Sequence, residues 1–304
     1  MDYLLGLINV KGALLVALIF VPIERLLPAR REQRTLRRGW FNDTIYFLFN
    51  RIPIGIGLLC MAMLGLMIGD AFVPSEVRAI VARQPVWLEV VALILIADLS
   101  FYAVHRLFHT IPALWRFHAI HHSIEELDWL AAHRVHPVDQ ILTKGAALVP
   151  TFALGFSDGA LAIFFILYQW HSLMLHANLR IGFGPLHWVI ASPCFHHWHH
   201  ADHPEAWNRN FSAQLPVWDM VFGTAHMRRD ALPTRYGIEE DVPPTYARQL
   251  LYPFRRRVKD TSDRRVTPPV RGGARPQSPD VVNIPQVVGE REPSRRMKNR
   301  GFVP

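Results

Sequence analysis

Cysteine is nearly absent. Cys60 and Cys194 are the only two in 304 residues and lie far apart. That excludes a disulfide framework, a four-thiolate iron–sulfur cluster and any CxxC zinc or redox motif. Other signatures are missing too. There is no HExxH, hence no zincin protease helix. There is no phosphate-binding P-loop. No ExxH pair occurs, although soluble di-iron bundles use that ligand pattern. Net charge is scarce outside the C-terminal end. Residues 251–304 hold thirteen Lys/Arg and five Asp/Glu, a net of +8, which equals the formal charge of the whole chain. The high pI therefore describes a tail and gives no support to a nucleic-acid partner. That tail, rich in Pro, Gly and Arg, reads as disordered from about Arg255. It suits a passive solubilising extension and contact with anionic headgroups equally well.

Long apolar runs are what the first 180 residues do contain. Residues 3–28, 44–68 and 86–102 each approach the length of a membrane span. The first lacks a basic leader and a small-residue cleavage site, so it reads as an anchor. Runs at 141–156 and 160–175 flank Ser157-Asp158-Gly159, and each is short for a full crossing. They predict a tight helical hairpin. Arg30, Arg31, Arg34, Arg37 and Arg38 follow the first run, which places that loop in the cytoplasm. Counting crossings then puts His105 and everything beyond the hairpin on the cytoplasmic side. The first 104 residues hold no histidine, and all 16 lie at or after His105. Hydropathy and arginine alone thus gather every imidazole near one membrane face.

The histidines recur in sets. His105 and His109 stand at i and i+4, one helical face. His118, His121 and His122 form HxxHH, and His196, His199 and His200 form a second HxxHH inside PCFHHWHHADH. His136 (RVHP) and His176 (LHANL) lie between them. A lone His on an apolar face is usually a hydrogen-bonded core residue, and one i,i+4 pair can be chance. Three such sets on one membrane face point to metal, because ionisable groups at membrane depth are costly and usually functional. Each neutral imidazole supplies one lone pair. About ten candidates exceed one ion's coordination, so the pattern predicts two metal ions. Imidazoles leave two dications uncompensated. Nearby carboxylates accepting from ring N–H groups would help, with Asp98, Glu125, Asp128, Asp139, Asp202 and Asp219 as candidates. In FHHWHH, helical geometry turns His197 about 100° from His196, which predicts support by packing or hydrogen bonding.

The order DLSFYAVHRLFH, LWRFHAIHHS, RVHP, LHANL, SPCFHHWHH and NRNFSAQLPVWDMVFGT resembles the fatty acid hydroxylase / sterol desaturase superfamily, over residues 98–224. The resemblance implies metal ligands at His105, His109, His118, His121, His122, His196, His199 and His200. His136 and His176 match positions that are often ligands in relatives. His197 matches a common basic position outside the ligand set, and Asp98, Asp202 and Asp219 would support the site. Two departures stand out. His133 occupies a position often not histidine, and Phe211-Ser212 replaces a commoner aromatic-Gly pair.

Together, the apolar runs and the resemblance imply an all-α integral membrane helical bundle, three spans plus a helical hairpin, with a cytosolic-side histidine-rich helical cap. Its parts would be an N-terminal membrane region (1–97), a di-metal domain (98–250, with its hairpin at 138–176) and the basic tail (251–304). The implied activity is oxygenation of a lipid C–H bond. Two iron ions would form the strong oxidant from dioxygen and two electrons; zinc could occupy the site but is redox-inert. No flavin, haem or ferredoxin signature is present, so electrons require a separate cytosolic-side donor. Hydroxylation is the expected outcome and desaturation by the same site the alternative, since substrate placement at the ångström scale decides between them. A membrane zinc-dependent hydrolase and a non-catalytic metal-binding protein are the readings from other classes.

Overall fold

The computed structural model describes residues 10–228, 231–255 and 281–283. Helix α1 (Val10–Leu26) leads to an arginine-rich loop, then α2 (Trp40–Phe49), α3 (Arg51–Phe72) and the short α4 (Ser75–Ala82). Next come α5 (Val86–Thr110), α6 (Pro112–His122), α7 (Pro137–Ala153) and α8 (Asp158–His176), then α9 (Pro193–His199), α10 (Val217–Val221) and α11 (Tyr246–Leu251). The one strand pair among the described residues joins β1 (Ala231–Pro233) antiparallel to β2 (Val281–Asn283). The fold is the expected all-α membrane bundle.

Three helices among the described residues are long and apolar enough to cross a membrane: α3, α5 and α8. Their bounds differ from the hydropathy reading in three places. The first expected span is described only from Val10, and α1 runs 17 residues. The second is broken at Asn50, whose side chain donates to Val135 O (2.6 Å) and accepts from Tyr246 Oη (3.0 Å). Residues 40–49 therefore form α2, which buries Asn42 and Asp43, and the span shifts to α3. In the hairpin, Asp158 and Gly159 lie in the first turn of α8. The second arm thereby gains enough length, 19 residues, to cross fully. Ser157 caps it, and Glu89 near the start of α5 accepts from Ser157 N (2.7 Å) and Oγ (2.8 Å).

Small residues set the packing of α3 on α7. A Cβ at Gly65 would stand 2.7 Å from Val149 O, and one at Gly69 2.6 Å from Ala153 O. Backbones approach this closely only where a small residue permits it. Helix α5 ends because Pro112 forces Ile111 out of the α region (φ −97°, ψ 114°). The resulting corner folds α6 back beside the end of α5.

Arg37, one of the arginines in the loop after the first apolar run, is buried. It pairs with Asp43 and Asp128, each at 2.6 Å, and Arg134 pairs with Asp43 as well. This network joins the arginine loop, α2 and residues 128–134. At the start of the expected tail, Tyr252–Phe254 form a 3₁₀ turn, and Arg116 of α6 donates to Tyr252 O (3.0 Å). Apart from β2, the tail beyond Arg255 lies outside the described residues, and so does its expected disorder.

Candidate metal centre

Nine imidazoles converge where α5, α6, α8 and α9 meet. They form two adjoining groups. One holds His105, His109, His118, His122 and His199; the other holds His121, His176, His196 and His200. Within each group the candidate donor atoms all lie within 4.8 Å of one another. The groups touch through His122 and His200, whose rings stack with centroids 4.6 Å apart.

The two HxxHH motifs are shared between the groups in opposite senses. In HAIHH the i,i+4 pair His118/His122 serves the first group, and His121 turns to the second. In FHHWHH the i,i+4 pair His196/His200 serves the second, and His199 turns to the first. Adjacent helical residues point about 100° apart, so each motif reaches two centres at once.

Hydrogen bonds on the far side of the rings set their protonation. His105 Nδ1 donates to Phe211 O (2.7 Å), His121 Nδ1 to Arg134 O (3.1 Å), His176 Nδ1 to Ser172 O (2.9 Å) and His199 Nδ1 to Arg209 O (2.8 Å). A carbonyl oxygen only accepts, so these four Nδ1 atoms carry hydrogen and each Nε2 keeps a lone pair. Yet Nε2 atoms crowd together: His121 and His176 at 3.1 Å, His176 and His196 at 2.9 Å, His105 and His118 at 3.0 Å, His122 and His199 at 3.1 Å. Burial, reinforced by repulsion among the rings, pushes His118, His121, His122, His196 and His200 well below the usual imidazole range, and burial takes His199 to about 4. Between His121 and His176 both Nε2 atoms carry lone pairs, and protonation does not relieve that contact, whereas a cation does. His109 Nε2 is also buried without a hydrogen-bond partner. The donor set fits two imidazole-bound metal ions.

Local sequence explains the carbonyls. In NRNFS, Asn208 (φ 57°) and Asn210 (φ 59°) adopt the left-handed region that Asn tolerates. The chain between and after them presents Arg209 O to His199 and Phe211 O to His105. Backbone acceptors of this kind leave little trace in a sequence, although the paired Asn residues hint at an unusual loop.

The other expected site residues fall elsewhere. His136 joins neither group. Its Nδ1 accepts from Val138 N (3.1 Å) as the N-cap of α7, and its Nε2 donates to Leu250 O (3.2 Å). RVHP is thus a cap followed by proline at N1. His197 faces away from both groups, with Nε2 donating to Ala177 O (3.0 Å) and Nδ1 accepting from Tyr236 Oη (2.9 Å). His171 donates to Ala191 O (2.8 Å). His133 sits edge-on to Phe47.

Among the six carboxylates, Asp139 meets a ring: its Oδ2 lies 2.8 Å from His118 Nδ1. Asp98 instead accepts three backbone N–H groups, from Ala213, Gln214 and Leu215. Asp219 accepts from Phe211 N and Ser212 N, each at 2.8 Å. Both hold the chain that carries Phe211 O, so they act on His105 at one remove. Asp202 faces Arg235 at 3.8 Å, Asp128 binds Arg37, and Glu125 binds Arg38. Trp115, not singled out from sequence, lies against His109 and His122, with ring centroids 5.2 and 5.4 Å away.

A model of the fatty acid hydroxylase family matches residues 90–224. The chain is 29% identical over 259 residues to an ornithine lipid hydroxylase of Rhizobium tropici, covering 82% of this chain and 76% of that protein. It is 30% identical over 128 residues to an alkylglycerol monooxygenase of Xenopus tropicalis, covering 42% of this chain and 28% of that one. Against the alkylglycerol monooxygenase of Danio rerio it is 28% identical over 213 residues, 64% of this chain and 45% of that one. The chain therefore spans about three quarters of the first relative and less than half of the other two. No solved structure matches it.

Proposed function

The chain belongs to the fatty acid hydroxylase superfamily, and from that premise we propose that it is a di-iron membrane oxygenase that hydroxylates a C–H bond of a lipid. The observation that carries this reading is the pair of adjoining imidazole groups, five and four rings, with lone pairs facing one another. Two iron ions would be held by His105, His109, His118, His122 and His199 on one side and by His121, His176, His196 and His200 on the other. Bound there, iron would supply an oxidant strong enough for an unactivated C–H bond, using dioxygen and two electrons from a separate donor. The protein's own part is positional. Carbonyls of Phe211, Arg134, Ser172 and Arg209 fix ring orientation, and Asp139 supports His118 and adds negative charge beside cationic metal. The buried, apolar surroundings limit access of bulk water to the centre.

The substrate is a lipid, in keeping with the names of the relatives and with a centre built at the ends of membrane helices. Those names, hydroxylase and monooxygenase, favour hydroxylation over desaturation. The arginine-rich loop orients the site and the C-terminus toward the cytoplasm, where an electron donor would dock. Reporter fusions after Asp70 and after Pro304 on opposite sides of the membrane would agree with that orientation. The decisive experiment is metal analysis with turnover. Two irons per chain, and dioxygen consumed with lipid hydroxylation, are expected. Full activity with zinc alone would replace this reading with hydrolysis.

A further inference from the structure

Two short stretches of chain lie beside the membrane helices: residues 183–191, which include the 3₁₀ turn Gly184–Trp188, and residues 211–222, a loop that leads into α10. Helix α5 has 25 residues, about 37 Å, against a hydrocarbon core of about 30 Å. Its first Arg or Lys is Arg106, which marks the water level at that end. Asp98 lies eight residues earlier, about 12 Å deeper along the axis. There it accepts N–H groups from Ala213 (2.9 Å), Gln214 (2.8 Å) and Leu215 (2.8 Å). The 213–215 stretch therefore sits well below Arg106. Non-helical backbone at such depth must have its polar groups satisfied by protein. A fully buried carboxylate that accepts three successive N–H groups meets that demand.

The neighbouring contacts repeat the pattern. Phe222 stacks on Tyr102 of α5, centroids 5.1 Å apart at 19°. Ala191 N donates to Gln214 O (2.8 Å), and Ala191 O accepts from His171, five residues before the end of α8. Both stretches are thus fastened to α5 and α8 on their inner side. Their outer sides are apolar and uncovered: Val221 is 65% exposed, Val189 and Leu186 each 55%, and Phe222 47%. On α8 itself, Ile163 and Ile166 are exposed as well.

We propose that residues 183–191 and 211–222 form a membrane-inserted lip on the bundle, with its outer face in the acyl-chain boundary of the bilayer. The occupant is lipid, because both stretches are bonded to the spans α5 and α8, with 213–215 held below the level of Arg106, and turn apolar side chains outward. Trp188, also partly exposed, stands where interfacial aromatics collect. The cap expected on the cytosolic side is therefore partly sunk into the membrane, and Asp98 exists to make that insertion tolerable. This inference goes beyond the catalytic reading and does not depend on it.

Spin labels test it without turnover. Val189→Cys and Val221→Cys would be labelled in a Cys60→Ser background, with the exposed Arg235→Cys as control, in lipid nanodiscs. Cys194 is buried and stays. Labels at 189 and 221 are expected to relax faster with oxygen, which partitions into lipid, than with a water-soluble nickel chelate. The label at 235 should show the reverse. Leu186→Cys and Met220→Cys repeat the measurement on each stretch if either first variant folds poorly. Nickel accessibility at 189 and 221 equal to that at 235 would overturn the lip and leave the metal-centre reading untouched.

Discussion

His121 Nε2 and His176 Nε2 face each other across 3.1 Å, and each ring donates its other nitrogen to a backbone carbonyl. Neither Nε2 has a hydrogen to offer, so this contact is a bond only when a cation lies beside both. His121→Ala or His176→Ala should each abolish turnover, a loss beyond the roughly 10–100-fold of an outer support. Iron content should fall toward one ion per chain. His203→Ala and His226→Ala should be much milder, because neither ring enters a group: His203 meets Thr234, and His226 lies on Trp198. Elemental analysis beside activity checks both halves, and full iron in His176→Ala would sink the assignment.

Asp139 tests the support of a ring by a carboxylate. Its Oδ2 stands 2.8 Å from His118 Nδ1, and both side chains are buried. Asp139→Asn keeps the shape and removes the negative charge. We expect about 10–100-fold weaker metal affinity or turnover, with metal still bound at saturation. Metal titration of the variant gives the number, and wild-type affinity would show that His118 needs no carboxylate.

His197 should matter for stability and not for metal. Burial takes its pKa to about 3, below the value of about 6.5 for the unfolded chain. Between those values the unfolded state binds a proton that the folded state refuses. Stability is therefore fully present above about pH 6.5 and is lost as pH falls toward 3. His133, also taken to about 3 by burial, adds to the same slope. His197→Gln should retain iron and measurable turnover and flatten the decline of Tm between pH 6.5 and 5. His196→Gln should lose iron and activity. A steeper decline in His197→Gln would contradict the buried neutral imidazole.

His136→Ala should leave iron content unchanged. It removes an N-cap from α7, worth typically about 1 kcal/mol, and the bond to Leu250 O. Thermal unfolding should drop by a few degrees at full metal loading. Loss of half the iron would return His136 to the ligand set.

Much of this protein is determined by its sequence alone. Apolar runs and arginines specify a membrane helix bundle, because the bilayer accepts little else. The three histidine sets specify a metal centre, because helical periodicity puts imidazoles four residues apart on one face. Periodicity cannot say which centre a ring joins. That His121 parts from His122, and His199 from His200, is decided by how α6 and α9 are rotated against α5 and α8. Nor does a motif reveal its outer contacts. Asp98 binds backbone because the loop that follows the two left-handed Asn residues returns to α5 across more than a hundred positions, and Asp139 binds a ring because the start of α7 lies beside α6. His136 caps a helix for the same reason: Pro137 starts α7 there, and the tertiary fold carries that start away from the metal. Spacing along the chain selects the donors, and only the packing of distant segments assigns each one its partner.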